Sequence, residues 1–272
     1  MLALTIPVLF AVFVWWFSTG LILLLDNLPR TTFRWSLVIS TALALSALVG
    51  LGHTAVQTSA SAAYCAFTCA LLVWGWHELS FLTGWITGPR RSPATPGASE
   101  ARRFVQALQA ILWHELGIVG AGLAIVAITW QAPNQVGTWT FMVLWAMRTS
   151  AKLNLFLGVR NLSEEFLPPH LVYLLSFFRR RNMNLLFPVS VTAATAVAAM
   201  LVATAIDAPP TAAIGLMLVT TMLALAILEH WLLVLPLPAT ALWRWAMRQR
   251  QNHAPAAAAP LTDNDDILLH AR

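Results

Sequence analysis

The stretch ALTIPVLFAVFVWWFSTGLILLL, residues 3–25, decides the class of fold. It contains no Asp, Glu, Lys or Arg, and as an α-helix it is long enough to cross the roughly 30 Å hydrocarbon core of a bilayer. Its apolar residues do not alternate with polar ones, so the stretch is typical of a membrane-spanning helix. Because no basic residue precedes it and no small-residue cleavage pattern follows it, we expect a retained helix rather than a signal peptide.

Six further stretches of the same kind follow along the chain. The predicted spans are residues 3–25, 36–57, 61–86, 104–130, 136–157, 187–208 and 211–238. The chain is 58% hydrophobic and only 10% charged, against roughly 25% charged residues in soluble domains. Because lipid cannot satisfy exposed backbone groups, the sequence predicts an all-α, polytopic transmembrane bundle of about seven spans. It forms one domain over residues 1–250, followed by a flexible, low-complexity cytoplasmic tail at 251–272.

The basic residues predict the orientation of the bundle. They lie in every second connection, at residues 26–35, 87–103 and 158–186, and in the tail from residue 239. The alternate connections, near residues 58–60, 131–135 and 209–210, contain no Lys or Arg. Basic loops favour the cytoplasm, which predicts a periplasmic N-terminus and a cytoplasmic C-terminus. Attraction to anionic lipids is enough to account for the net charge of +5. We therefore expect the lipid bilayer to be a partner and expect no binding of nucleic acid.

Two of the basic connections have a distinctive composition. TGPRRSPATPGASE, residues 87–100, is rich in Pro, Gly and Ser and is predicted to be a loop. FLPPHLVYLLSFF, residues 166–178, is apolar and aromatic but contains two prolines. This second pattern predicts a helix lying at the cytoplasmic interface or a re-entrant turn packed in the bundle.

Ionisable residues inside four spans are the candidate functional residues. Three spans carry an adjacent histidine and glutamate, and the fifth carries two cations: His77, Glu78, His114, Glu115, Glu229, His230, Arg148 and Lys152. Counted from the predicted span ends, they lie about 12 to 15 Å from the basic end of the bundle. Antiparallel spans therefore bring them to one level. Charged groups at membrane depth are costly and tend to mark a functional site, so we expect a shared polar layer.

The charges of this layer do not balance. Three glutamates face two cations, Arg148 and Lys152, and an uncompensated charge is expensive at low dielectric. A protonated carboxyl group, a protonated histidine or a bound cation would each remove the excess. The sequence leaves these three possibilities open.

The layer has several interpretations. Its members could be structural interhelical pairs that specify how the helices pack. They could instead hold a carboxylate-bridged di-iron centre, which takes about four carboxylates and two histidines. The candidate metal ligands are Glu78, Glu115, Glu229, His77, His114 and His230, with Glu164, Glu165 and His170 as loop contributors. Neighbours on a helix point about 100° apart and the expected Glu-x-x-His spacing is missing, which argues against this centre.

A third interpretation of the layer is tetrapyrrole binding. A neutral imidazole on a membrane helix can ligate haem iron or the magnesium of a chlorophyll, and several of the 13 tryptophans lie near the same level. Tryptophan also belongs at membrane interfaces without any ligand. The sequence contains no Walker loop, no dinucleotide-binding glycine fingerprint and no HExxH motif, so nucleotide and zinc-protease chemistry lack support.

The polar and aromatic strings of the chain resemble the PuhE family of photosynthetic complex assembly proteins. They are WWFSTGLILLLDNLPR (15–30), WGWHELSFLTGWITGPRR (74–91), LWHELGI (112–118), WAMRTSAKLNLFLGVRNLSEEFLPPHLVYLLSFFRRRNMNLLFPVSV (145–191) and EHWLLVLPLPATALWRW (229–245). The resemblance covers about residues 1–250. It implies a factor of the bacterial inner membrane that helps to build the photosynthetic reaction centre and its light-harvesting complex, and it supplies no catalytic residues.

The resemblance and the polar layer together give our leading hypothesis, a non-catalytic assembly factor. Its layer would either fix a partner-binding shape or hold a (bacterio)chlorophyll-type pigment or precursor. The implied partners are reaction-centre or light-harvesting subunits and other assembly factors. The alternatives are a membrane di-metal oxidoreductase that acts on pigment precursors and a transporter of pigment, lipid or ions. Against transport, spans one to three and five to seven show no matching pair of broken helices.

Overall fold

A computed structural model describes residues 2–237 and 239–247. Seven long helices make up most of it: α1 (Leu2–Asp26), α2 (Phe33–Ala55), α3 (Ala60–Leu82), α4 (Glu100–Ile128), α5 (Val136–Leu157), α6 (Leu186–Asp207) and α7 (Pro210–Leu232). No β-strand occurs within these described residues. The predicted all-α bundle is therefore confirmed. The predicted tail at residues 251–272 lies outside the described residues.

Six of the seven helices are long and apolar enough to cross a membrane, which makes the chain a multi-pass membrane protein. The remaining helix, α5, is of similar length but less apolar, and it carries Arg148 and Lys152. Within an apolar 18-residue stretch of each helix, 56% of the residues of α3 and of α7 are buried, against 17–22% in α1, α2, α4 and α6. Because α5 packs against both α3 and α7, these three helices form the centre of the bundle.

Two predicted span ends are wrong. Helix α3 ends at Leu82 rather than at residue 86, because Gly84 takes a positive φ of 75° that turns the chain. Helix α7 ends at Leu232 rather than at residue 238. Pro236 follows shortly after, and a proline disfavours helical geometry in the residue before it. An apolar stretch can therefore continue past the end of its helix.

Hydrogen bonds from two loops to the ends of other helices show which helix ends lie together. At one end, Asn134 after α4 donates from its backbone and side chain to the last turn of α2, at 3.0 Å to Ala55 O and 3.1 Å to Thr54 O. At the other end, Asn161 after α5 donates its backbone N–H to Leu233 O at 2.9 Å. The loops that follow α1, α3 and α5 lie at this second end, and we call it the basic end.

Asn184 joins α6 to α5 at the basic end. Its Oδ1 accepts hydrogen bonds from the backbone N–H groups of Leu186 and Phe187, at 2.8 and 3.2 Å. Its Nδ2 donates to the backbone oxygens of Asn154 and Gly158, at 3.2 and 2.9 Å. One side chain therefore supplies donors and acceptors to the ends of two helices.

We expect Asn184→Ala to lower the free energy of unfolding by about 2 kcal/mol, because loss of a helix N-cap alone costs roughly 0.5–2 kcal/mol. Chemical unfolding in detergent measures this change. Asn182→Ala is the matched control, since Asn182 is exposed two residues earlier. Equal destabilisation by the two substitutions would contradict this role of Asn184.

The α3–α4 loop, residues 83–99, runs back along the backbone of α4 instead of leaving the bundle. Thr87 O accepts a hydrogen bond from His114 N at 3.0 Å, and Arg90 N donates to Gln109 O at 3.3 Å. Between them, Gly88 lies so close to α4 that an added Cβ would be 2.6 Å from the carbonyl carbon of Ala110. The predicted loop is confirmed as non-helical, but its packing against α4 was not predicted.

A 3-10 helix at Pro169–Phe177, which we call the loop helix, follows α5. Its buried side chains Leu171, Leu174 and Phe177 pack in one cluster with Phe81 of α3 and Ala110 of α4. The sequence left open an interfacial helix and a re-entrant turn packed in the bundle, and the segment forms a 3-10 helix that packs against α3 and α4. The loop helix and the α3–α4 loop together cover the part of α4 that contains His114.

A buried polar centre at the basic end of the bundle

The two cations of α5 each form an ion pair with a carboxylate of another helix. Arg148 Nη2 lies 2.9 Å from Glu78 Oε2 on α3. Lys152 Nζ pairs directly with Glu115 Oε1 on α4. The two cations are one helical turn apart on one face of α5, which is why both can reach the layer. Four of the predicted layer residues are thus joined in two interhelical pairs.

The third carboxylate, Glu229, has a different partner. Its Oε1 accepts a hydrogen bond of 2.9 Å from the indole N–H of Trp15 on α1. It also interacts electrostatically with Arg148 and with Glu78. Its side chain reaches the surface of the bundle. Within residues 2–237 and 239–247 no ion pair involves Glu229, so the excess carboxylate inferred from the sequence is the one on α7.

Two of the three layer histidines are held by hydrogen bonds inside the protein. His77 Nδ1 lies 2.9 Å from Val73 O, and its ring also interacts with the backbone of Gly117. His230 Nδ1 lies 2.9 Å from Ala226 O, and its Nε2 lies 2.9 Å from Ser150 Oγ. Both ring nitrogens of His230 and Nδ1 of His77 are therefore engaged, by bonds within their own helices and, for His230, by one bond to α5.

His114 is the exception. It is 1% exposed, and neither of its ring nitrogens has a hydrogen-bond partner among the described residues. The ring of Phe81 lies 4.6 Å from the imidazole, centroid to centroid. Both cations of α5 and Glu78 interact electrostatically with His114, so it lies among the ion pairs of the layer.

Other buried polar atoms of the basic end also lack a partner in the described part of the chain. They include Glu78 Oε1, Ser80 Oγ and Arg148 Nε. Thr87 is bonded to His114 through its backbone, and Tyr173 interacts with the Thr87 side chain. Buried polar groups are nearly always satisfied, so such a group of unpaired atoms indicates bound water or a ligand. The structure therefore singles out His114 as the candidate ligand-binding residue.

The loop contributors that we considered lie elsewhere. Glu164 is exposed and pairs with Arg180 at 2.7 Å. Glu165 is also exposed. His170 Nε2 lies 2.7 Å from Leu82 O, where it joins the loop helix to the end of α3. The structure does not bring Glu164 or His170 into the ion pairs of the layer.

The di-metal hypothesis receives no support from the geometry. In the part of the chain that the structure describes, no three His, Cys, Asp or Glu side chains converge as metal ligands. Two of the three candidate carboxylates are engaged with cations and the third with an indole. The arrangement consists of separate interhelical pairs around His114.

Sequence reasoning missed four residues of this centre. Trp15 and Ser150 bond to the layer across helices, and nothing in their local spacing distinguishes them from packing residues. Thr87 comes from the α3–α4 loop and Tyr173 from the loop helix, and both segments lie outside the predicted spans. Only contacts between distant parts of the chain identify them.

Comparison with known proteins identifies related sequences. A family described as "Protein of unknown function (DUF3623)" matches residues 1–254. A protein of Rhodobacter capsulatus, described as "Uncharacterized 30.4 kDa protein in puhA 5'region", is 42% identical over 232 residues, which cover 84% of this chain and 85% of the relative. No solved structure matches the chain.

Proposed function

This chain belongs to the family described as protein of unknown function (DUF3623), and we propose that it is a membrane-embedded assembly factor for a photosynthetic complex. Its polar centre would bind a (bacterio)chlorophyll-type pigment or precursor through His114. The description of the relative names the puhA region, a photosynthesis gene region. The apolar helices support insertion in a lipid bilayer. We propose that this bilayer is the bacterial inner membrane and that the basic end faces the cytoplasm.

The observation that carries the pigment proposal is the free imidazole of His114. A ring nitrogen without a protein partner can serve as a neutral axial ligand to a metal. Both ring nitrogens of His230 are already engaged and Nδ1 of His77 bonds to Val73 O, whereas neither ring nitrogen of His114 has a partner among the described residues. A bound chlorophyll-type pigment would supply a magnesium ion with an open axial position. The residues present therefore fit the donor chemistry that such a pigment needs.

Three further hydroxyl groups of the basic end would orient the ligand. Ser80, Thr87 and Tyr173 carry hydroxyl groups that can donate hydrogen bonds to carbonyl substituents. The ion pairs Arg148–Glu78 and Lys152–Glu115 would hold α3, α4 and α5 in position around them.

The centre is closed in this structure, because His114 is 1% exposed, its backbone N–H bonds to the α3–α4 loop, and the loop helix packs on the neighbouring turn of α4 at Ala110. Entry of a pigment would require this cover and the Phe81 ring to move. A site that must open in order to load and release suits temporary holding of a pigment.

The direct test is an absorption spectrum of the full chain purified in mild detergent from a phototrophic host. We expect long-wavelength pigment bands and about one magnesium per chain by elemental analysis. His114→Ala should abolish both signals, because within the described residues it removes the one layer imidazole that has no hydrogen bond at either ring nitrogen. Stoichiometric iron or manganese in place of magnesium would favour the di-metal alternative.

His230→Ala is the matched control for this experiment. It removes a histidine of the same layer, but one that bonds to Ser150 and Ala226. We expect it to lower stability and to leave the pigment content of the folded fraction unchanged. Equal pigment in wild type and His114→Ala, or no pigment in wild type, would overturn pigment binding by His114.

The assembly role is tested separately in cells. Deletion of the gene should lower the amount of assembled reaction centre or light-harvesting complex, measured by membrane absorption. Expression of the wild-type chain should restore it. Unchanged complex levels in the deletion strain would contradict the assembly role, whatever the purified protein binds.

A further inference from the structure

A basic pocket opens on the surface of the basic end, away from His114. It has a volume of about 350 Å³ and is lined by Arg160, Asn161, Arg180, Arg181 and Asn182. All of its lining residues except Asn161 are exposed. No carboxylate lines it, so the pocket offers a positively charged surface that can receive an anion.

Two short segments build the pocket by pairing side by side. Val159 N donates to Arg179 O at 3.1 Å, and Arg181 N donates to Val159 O at 3.0 Å. This pairing places Arg160 beside the run of arginines that precedes α6. The pocket is thus formed by defined backbone contacts rather than by independent surface side chains.

Gly158 allows the third arginine to lie against the backbone. Its φ of 121° is one that other residues rarely adopt, and an added Cβ would be 2.8 Å from Cγ and Cδ of Arg181. The stem of Arg181 therefore lies directly over Gly158. This contact limits where the Arg181 guanidinium can be.

The ion pairs of the described chain leave two of the three cations available. Arg180 pairs with Glu164 at 2.7 Å. Neither Arg160 nor Arg181 belongs to an ion pair within the described residues. An anion in the pocket would therefore find two uncompensated guanidinium groups, which bind phosphate oxygens in a bidentate manner.

An apolar groove lies on the first two turns of α6, a few residues after the pocket in the sequence. It has a volume of about 470 Å³ and is lined by Pro188, Val189, Thr192 and Ala193. Between the pocket and the groove, Met183 and Leu185 are 50% and 88% exposed. Since α6 is long and apolar enough to span a membrane, this groove faces lipid rather than water.

We propose that the pocket and the groove form a binding site for an anionic phospholipid. The phosphate would lie between Arg160 and Arg181, and an acyl chain would follow the groove on α6. The two uncompensated arginines complement the headgroup in charge, and the exposed apolar side chains match the region just beneath it. The bound lipid would join the segment after α5 to the start of α6, which Asn184 already links.

The test uses the full chain in detergent and native mass spectrometry, with phosphatidylglycerol as the probe and phosphatidylcholine as the neutral comparison. We expect one phosphatidylglycerol to be retained in preference to phosphatidylcholine. The double substitution Arg160→Gln and Arg181→Gln should weaken this retention on the order of 30-fold, because it removes the attraction of two arginines to the anionic headgroup.

Two comparisons make the result specific. Arg30→Gln with Arg102→Gln removes two other exposed charges of the basic end and should change retention less than about twofold. Thr192→Trp fills the groove without changing the charge and should weaken retention of phosphatidylglycerol but not of inorganic phosphate. Equal losses in the two arginine pairs, equal retention of the two lipids, or displacement of the lipid by an equal concentration of inorganic phosphate would each overturn the proposal.

Discussion

Replacement of Gly88 by alanine should prevent most of the protein from reaching its folded state. Gly88 lies against the backbone of α4, where an added Cβ would be 2.6 Å from the carbonyl carbon and 2.8 Å from the carbonyl oxygen of Ala110. Backbone atoms cannot move aside as a flexible side chain can. We expect a loss of more than about 3 kcal/mol in the free energy of unfolding, at the upper end of overpacking effects.

The same substitution should also disturb the polar centre. The bond from His114 N to Thr87 O depends on the close approach of the α3–α4 loop at the neighbouring Gly88. Yield of folded protein and hydrogen exchange at residues 105–115 measure the two effects. In any fraction that folds, we expect faster exchange in this stretch of α4, because the loop no longer covers it.

Gly120 provides the matched control on α4. It is exposed, and an added Cβ would meet nothing within 4 Å. Gly120→Ala should therefore be neutral or stabilise the helix by up to about 1 kcal/mol. If Gly88→Ala were tolerated as well as Gly120→Ala, the close packing of the α3–α4 loop on α4 would be wrong.

Replacement of Arg148 by alanine should cause the second large effect. It removes the partner of Glu78, whose side chain is only 12% exposed, and leaves that carboxylate uncompensated in the bundle. Loss of one partner from a fully buried pair costs about 3–5 kcal/mol. Because the Arg148 side chain itself is 41% exposed, we expect a smaller loss, about 2 kcal/mol.

A double-substitution cycle separates the ion pair from general packing. Arg148→Ala combined with Glu78→Gln should be more stable than Arg148→Ala alone, because the neutral amide no longer requires a cation. Denaturant titration in detergent measures each member of the cycle. Additive effects of the two substitutions would show that Arg148 and Glu78 do not stabilise each other.

Arg102→Ala is the control for loss of a positive charge. Arg102 is exposed near the start of α4, and substitutions at exposed sites usually change stability by less than about 0.5 kcal/mol. A loss as large as that of Arg148→Ala would mean that overall charge, rather than the pair with Glu78, controls stability.

The seven helices could be predicted because the physical signal is local. A bilayer requires about 20 apolar residues in each span, and that length can be counted along the chain. The ends were less well predicted where turns are set by single residues, such as Gly84 after α3 and Pro236 after α7. The α3–α4 loop was predicted as a loop, but its path over α4 depends on contacts between residues that are distant in the sequence.

The sequence by itself determined that this protein is a membrane helical bundle with ionisable residues inside four of its helices. It determined this because hydrophobic length and helical rise are properties of each segment alone. Only the tertiary structure decided that Glu78 and Glu115 meet cations, that Glu229 meets Trp15, and that His114, within the described residues, has no hydrogen bond at either ring nitrogen. The partner of a side chain depends on how helices turn toward one another, which packing across the whole bundle sets.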